Sequence, residues 1–181
     1  MHTSFFRLSL PALLCAFLLS GCAVKVASPS MKRIEALSSL LMTLDSTIPK
    51  EATIQLAKEM FKETQILTKA FEMTSPPQYH NFLVSVGLKK RGLCYHWADA
   101  LYIHFISRHY HFFSFHLMGA HIGEYWREHN VMAVAAKDTP MQEWIIVDPW
   151  REPGKLYFSK VKDDPKYRWR HRVSREFQKG R

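Results

Sequence analysis

The sequence predicts an α+β domain in which N-terminal helices pack on a small antiparallel sheet. Two observations favour this class. Apolar residues recur at helical spacing through the first half of the chain, and β-rich segments follow one another through the second half. Short polar connections separate these later segments, which is typical of antiparallel strands.

Three segments in the first half are predicted to be helices of ordinary length. They cover residues 32–44, about 50–73 and 93 to about 108, each with apolar side chains on one face. Pro76 and Pro77 end the second helix because proline cannot continue one. A further short helical turn is expected over residues 82–86.

The second half is predicted to hold strands at residues 111–120, 129–136, 143–150 and 156–161. The two central strands are joined by "KDTPMQ", a connection of hairpin type. A symmetric hairpin would be centred between Asp138 and Thr139, and it would place His129 directly opposite Asp148. Opposed residues of a hairpin share a face, with Cβ atoms about 4.5–5.5 Å apart.

The N-terminus has the pattern of a leader peptide. Arg7 precedes an apolar run of about a dozen residues, which is too short to span a bilayer core of about 30 Å. The run ends in "LSGC", which resembles a bacterial lipobox whose cysteine, here Cys22, is lipidated and becomes the new N-terminus. The alternative is an ordinary secretory signal.

The lipobox interpretation predicts four regions and a location. A signal peptide covers residues 1–21, a tether 22–30, the folded domain 31–159 and a basic tail 160–181. The protein would be anchored in the cell envelope through Cys22, on the periplasmic face of the outer membrane. No nucleic-acid partner is expected in that compartment.

The positive charge is concentrated in the predicted tail. Residues 160–181 carry nine Lys or Arg and three Asp or Glu, a net charge of +6, whereas residues 22–159 carry only +2. Two interpretations remain open. The tail is either a solvated terminus or a surface attracted to anionic lipid or acidic cell-wall polymer.

Cys94 is the one cysteine without an assigned role, since Cys15 lies in the leader and Cys22 in the lipobox. It follows Gly92, a candidate N-cap, at a predicted helix start. A helix N-terminus and a neighbouring imidazolium lower the pKa of a thiol from about 8.5 into the range of about 3.5–7.5. The hairpin pair His129 and Asp148 offers the base and the carboxylate that such a nucleophile needs. The alternative is an inert, buried thiol.

Three blocks resemble the transglutaminase-like fold of the papain-like cysteine peptidase superfamily: "RGLCYHWADAL", "EHNVMAV" and "WIIVDPW". They occur in the family's order within residues 78–157. The resemblance implies that Cys94 is the nucleophile, His129 the base and Asp148 the group that orients it. Many relatives have an aromatic residue after the histidine, whereas Asn130 stands here.

An upstream side chain is expected to stabilise the oxyanion, with Gln78 and Asn81 as candidates and Asn81 favoured as the nearer. No cofactor or metal is expected. His109 and His111 have the spacing of two ligands on one strand face, but no zinc-peptidase motif accompanies them.

The leader and the resemblance together imply an envelope lipoprotein with a Cys-His-Asp hydrolase or acyltransferase domain. Its expected substrates are peptide or protein amides. Hydrolysis is favoured over cross-linking because the sequence has no acidic loop of the calcium-binding kind. The alternative is a non-catalytic envelope lipoprotein that uses the same fold as a binding or scaffold module.

Overall fold

The computed structural model describes residues 22–26 and 28–172. Within these ranges it has four α-helices and a five-stranded antiparallel sheet, which confirms the α+β class. The predicted leader, residues 1–21, and the last part of the predicted tail, residues 173–181, lie outside the described residues. No helix of the described ranges is long and apolar enough to cross a membrane.

The helices are α1 (Met31–Met42), α2 (Lys50–Ala70), α3 (Pro77–Ser85) and α4 (Cys94–Ile106). Two-residue strands β1 (Cys22–Ala23) and β2 (Thr74–Ser75) pair with each other. The main sheet contains β3 (Ser114–Ala120), β4 (His129–Ala135), β5 (Ile145–Asp148), β6 (Tyr157–Lys160) and β7 (Arg170–His171). Its strand order is β6-β5-β4-β3-β7.

The three predicted helices correspond to α1, α2 and α4, and their ends agree to within about three residues. Helix α3 is longer than the short turn expected around Phe82. It begins at Pro77, which occupies the first helical turn. Proline is tolerated there because its missing N–H would have no intrahelical acceptor. Helix α2 ends at Ala70, before β2, so the prediction that Pro76 and Pro77 end it is wrong, and Pro77 instead begins α3.

The main core lies between the helices and one face of the sheet. Trp97, Leu101 and Phe105 of α4 are buried there against Met132 and Val134 of β4. Every residue of β4 is buried. The side chains at the N-terminal end of β4 are therefore held by the packed interior of the domain.

A second, smaller core covers the opposite face of the sheet, and it includes Val161 and Trp169 from the predicted tail. Asp164 is 1% exposed, and Arg170–His171 add strand β7 to the edge of the sheet beside β3. The domain therefore extends at least to Arg172, and the predicted boundary after Ser159 is wrong.

The high charge of this segment suggested a solvated tail, but several of its cations have partners within the domain. Lys160 and Lys162 both bind the carboxylate of Glu143. Arg172 binds Glu128 at 2.7 Å. Composition alone does not reveal such ion pairs, because their acidic members lie elsewhere in the chain.

The first residues of the predicted tether also lie against the domain. Cys22 and Ala23 pair with Ser75 and Thr74, and the Val24 backbone N–H donates to the carbonyl of Met73 at 3.0 Å. Residues 22–24 are therefore not a free tether.

Candidate active site

The β4–β5 hairpin has a different register from the symmetric one. Met132 pairs with Val147 and Val134 pairs with Ile145, so the register is shifted by two residues. The prediction that His129 lies directly opposite Asp148 is therefore wrong. The connection contains a short 3₁₀ helix at Met141–Glu143, which moves the centre of the loop toward the β5 side. Because the shift is an even number of residues, the two side chains still share one face of the sheet.

His129 and Asp148 are offset by two positions across the two strands, and their side chains form a buried hydrogen bond. His129 Nε2 lies 2.7 Å from Asp148 Oδ2, and the two residues are 2% and 0% exposed. Charge-assisted hydrogen bonds of this length are strong, and water cannot compete for either atom. The carboxylate therefore fixes both the orientation of the imidazole and the nitrogen that carries its proton.

Cys94 is the first residue of α4 and is partly exposed. It is near enough to His129 to help raise the pKa of the imidazole, and its Sγ lies 3.8 Å from the carbonyl oxygen of Glu128. Because Asp148 engages Nε2, the second ring nitrogen, Nδ1, is the one available to the thiol. The structure thus brings together all three residues that the sequence identified, in the order Cys94, His129, Asp148.

The surroundings of His129 favour its charged form. Burial acts to lower the pKa of the imidazole, but the charge and hydrogen bond of Asp148 act against it, as does the interaction with Cys94. Together these partners outweigh burial and raise the pKa of His129 to about 9. An imidazolium at neutral pH is the partner that a thiolate requires.

The loop before Cys94 is held by close packing between Gly92 and His80. A Cβ atom on Gly92 would lie only 2.2 Å from His80 Nε2, and Gly92 also has a φ of +122°. The Thr74 backbone N–H donates to His80 Nδ1, so Nε2 carries the proton and donates to the Arg91 carbonyl at 2.8 Å. Glycine is needed here for both its conformation and its lack of a side chain.

The helix start itself is capped by a side chain that the sequence analysis did not assign. Leu93, and not Gly92, is the N-cap residue of α4. His96 Nδ1 accepts hydrogen bonds from the backbone N–H groups of Gly92 and Leu93, each at 3.2 Å. This arrangement orients the backbone on which Cys94 is placed.

A network behind Asp148 was not foreseen from the sequence. Arg151 donates from its backbone N–H to Asp148 Oδ1 and from Nε to Oδ2, each at 3.1 Å. Its other guanidinium nitrogens bind both oxygens of the buried Asp164. Asp164 in turn accepts from Trp169 Nε1 at 2.9 Å. The segment after Ser159 therefore supports the carboxylate that holds His129.

Aromatic rings enclose the imidazole. The ring centroids of Tyr167, Trp150 and Trp169 lie 4.6, 4.9 and 5.6 Å from that of His129. Asn81 is placed behind this wall, where its Oδ1 accepts from Trp150 Nε1 at 3.0 Å. Gln78 is exposed on α3. Neither residue is hydrogen-bonded to the thiol in the part of the chain that the structure describes.

The side-chain amide that reaches the thiol is that of Asn130, whose Nδ2 lies 4.0 Å from Cys94 Sγ. Asn130 is 6% exposed and is flanked by Glu128 and Arg172. Asn130 was noted in the sequence only as the residue that follows His129, and not as a hydrogen-bond donor to the site.

The histidines of the described ranges are not arranged as the ligands of a metal site. Over residues 22–26 and 28–172, no group of three or more His, Cys, Asp or Glu side chains is arranged to hold a metal ion. His109 and His111 are both exposed.

Comparisons with protein families, with curated proteins and with solved structures found no match for this chain. Functional inference therefore rests on the geometry of the site.

Proposed function

We propose that this chain is an extracytoplasmic lipoprotein with a transglutaminase-like cysteine hydrolase or acyltransferase domain that acts on peptide or protein amides. The observation that supports it best is the buried hydrogen bond between His129 and Asp148, beside the thiol of Cys94 at the N-terminus of α4. A nucleophile, a base and an orienting carboxylate in this order are the elements of nucleophilic acyl transfer.

The first half of the reaction uses the thiolate. Sγ of Cys94 attacks the carbonyl carbon of an amide, and a tetrahedral oxyanion forms. Collapse of this intermediate breaks the C–N bond, and the His129 imidazolium gives its proton to the departing amine. The product is a thioester on Cys94 and a neutral imidazole.

The second half regenerates the enzyme. Neutral His129 removes a proton from water or from a second amine, and this acceptor attacks the thioester carbonyl. Sγ leaves as a thiolate, and His129 is again an imidazolium held by Asp148. We favour water as the acceptor, so that the net reaction is amide hydrolysis.

The exposure of the three residues supports this division of roles. Cys94 is partly exposed, so an amide carbonyl has a route to Sγ. His129 and Asp148 are buried among aromatic rings, so the ion pair that orients the base is shielded from water. A low local dielectric strengthens such a pair.

A test with an activated ester separates an acyltransferase from a binding module. Incubation with p-nitrophenyl acetate should give a burst of p-nitrophenol and an acetyl group on Cys94, detected by mass spectrometry of the peptide that contains it. Cys94→Ala should give neither product. His129→Ala should acetylate slowly, and Asp148→Asn should lie between the wild type and Cys94→Ala. A wild-type chain without a Cys94-dependent burst would support the non-catalytic alternative.

Attachment to the envelope is the second part of the proposal. Lys166, Arg168 and Arg170 are exposed near the C-terminal edge of the described chain, and such cations attract anionic lipid head groups within about a Debye length. The double variant R168E/R170E should lose salt-sensitive binding to vesicles that contain phosphatidylglycerol. Binding equal to that of the wild type would mean that these cations are only solvated and do not bind the vesicles.

A further inference from the structure

We propose that the Asn130 side-chain amide donates the hydrogen bond that stabilises the oxyanion formed during attack by Cys94. This inference rests on the proposed acyl transfer and adds a fourth residue to it. The starting observation is the 4.0 Å contact between Asn130 Nδ2 and Cys94 Sγ. The sequence had suggested Asn81 for this role, but the hydrogen bond of Asn81 is to Trp150.

The neighbours of Asn130 determine which way its amide points. Arg172 Nη1 donates to Asn130 Oδ1, and Asn130 Nδ2 donates to Glu128 Oε1 at 3.2 Å. A guanidinium can only donate and a carboxylate can only accept, so the reversed amide would lose both contacts. The nitrogen is therefore the end of the amide that faces Cys94.

The charge state of Glu128 keeps this orientation in place. Burial acts to raise the pKa of the Glu128 carboxyl, but hydrogen bonds from the Gly123 backbone, Arg172 and Asn130 outweigh it and lower the pKa. Glu128 also pairs with Arg172 at 2.7 Å. It therefore remains an acceptor, and it uses one of the two N–H groups of the amide. The second N–H of the Asn130 amide remains available on the side of the Cys94 thiol.

The alternation of β4 explains why Asn130 reaches this position. Met132 and Val134 of β4 belong to the core between the sheet and the helices. Asn130 lies two residues before Met132 on the strand, so the two side chains share a face. Asn130 therefore projects toward the side on which α4 packs. The backbone of β4 therefore places the amide next to the first residue of α4, where Cys94 lies.

The chemistry requires a donor at this place. An electron pair on Sγ forms a bond to the carbonyl carbon, and the π pair of the C=O bond moves onto oxygen as a negative charge. That oxygen lies about 3 Å or less from Sγ, so a donor 4 Å from Sγ can reach it at hydrogen-bonding distance. When the intermediate collapses, the pair returns to re-form C=O, the C–N bond breaks, and the amine takes a proton from His129.

Arg172 has a positioning role in this arrangement. Its backbone N–H donates to the Leu117 carbonyl at 2.8 Å, which fixes the chain just beyond β7. Its side chain then binds both Glu128 and Asn130. The C-terminal segment thus supports the oxyanion donor as well as the carboxylate of Asp148.

Two electrophiles distinguish a residue that donates a hydrogen bond to the oxyanion from one that only affects the position or ionisation of the thiol. Acetylation by p-nitrophenyl acetate passes through an oxyanion, whereas alkylation by iodoacetamide displaces iodide at a saturated carbon and forms none. Asn130→Ala should therefore slow acetylation of Cys94 by about 10²-fold, while the alkylation rate changes by less than about threefold. Asn130→Leu keeps the approximate shape of the side chain, brings neither a donor nor a charge and should show the same selective loss.

Asn81→Ala is the matched control, since it removes the other side-chain amide of the site region. It should leave the ratio of acetylation to alkylation at the wild-type value. An unchanged ratio in both Asn130 variants would overturn the inference, while the wild-type burst would still support acyl transfer. The absence of a burst in the wild type would contradict the acyl transfer and, with it, the inference.

Discussion

Asp148 holds His129 from a diagonal position in the sheet, with Oδ2 at 2.7 Å from Nε2. Directly opposed residues would be closer at their Cβ atoms, but a diagonal pair still allows contact between long side chains. Arg151 binds the same carboxylate, with its Nε on the oxygen that His129 uses and its backbone N–H on the other. Asp148 is therefore shared between a fixed cation and a histidine whose charge depends on pH.

The raised pKa of His129 predicts a specific dependence of stability on pH. The folded-state pKa is about 9 and the ordinary value is 6.5. A group whose pKa is raised on folding contributes its full stabilisation below the unfolded value and loses it as the pH rises through the folded value. A thiolate formed on folding would offset this change, so it is measured in the Cys94→Ala background, where the free energy of unfolding should fall between pH 6 and pH 9.5, by up to about 3 kcal/mol.

Urea unfolding at both pH values, under reducing conditions, measures this change. The double variant C94A/H129A should be less stable than Cys94→Ala at pH 6 and should show a much smaller fall. Equal pH dependence in the two proteins would mean that His129 does not gain its charge on folding.

Gly92→Ala tests the packing that sets the loop before Cys94. The new Cβ would meet His80 at 2.2 Å in a backbone conformation that disfavours alanine. We expect a loss of roughly 2–4 kcal/mol in the free energy of unfolding and slower alkylation of Cys94. Gly87→Ala is the control, since Gly87 also has positive φ (+80°) but open space around it. It should cost about 1 kcal/mol, and equal losses would contradict the role of the His80 contact.

Truncation tests whether the C-terminal segment belongs to the domain. The full chain should unfold cooperatively. A chain ending at Ser159 loses the buried Asp164 and Trp169 together with strand β7, so it should lose its cooperative transition in circular dichroism. A folded, stable chain ending at Ser159 would show that these contacts are dispensable.

The sequence predicted what depends on local pattern. Apolar periodicity located α1, α2 and α4, and the alternation of the hairpin placed His129 and Asp148 on one face. The exact register was wrong because it depends on the 3₁₀ helix in the loop, which polar turn residues do not specify. An even error in register preserved the shared face.

The rest of the site depends on contacts between segments that are distant along the chain. Arg151 is linked to Asp164 and Asn130 to Arg172, and each pair looks like ordinary surface charge or polarity in the sequence. Burial gives these residues their role, and burial of the C-terminal segment could not be read from a net charge of +6.

Cys22→Ala tests the lipobox interpretation of the leader. Lipidation needs the cysteine sulfur, so the variant should accumulate as uncleaved or mislocalised protein when membrane and soluble fractions are separated. A radiolabelled fatty acid should be incorporated into the wild type and not into the variant. Normal cleavage and release of the Cys22→Ala protein would indicate an ordinary secretory signal.

The central claim is that Cys94 and His129 form a thiolate–imidazolium pair. The most direct measurement is the rate of Cys94 alkylation by iodoacetamide as a function of pH, in the wild type and in His129→Ala. Only the thiolate reacts, so the rate follows its population. The wild type should alkylate rapidly at and below neutral pH, whereas His129→Ala should react appreciably only as the pH approaches the ordinary thiol range, about 8.5. Superimposable profiles with a single inflection near that value would contradict the ion pair and leave Cys94 as a packing residue.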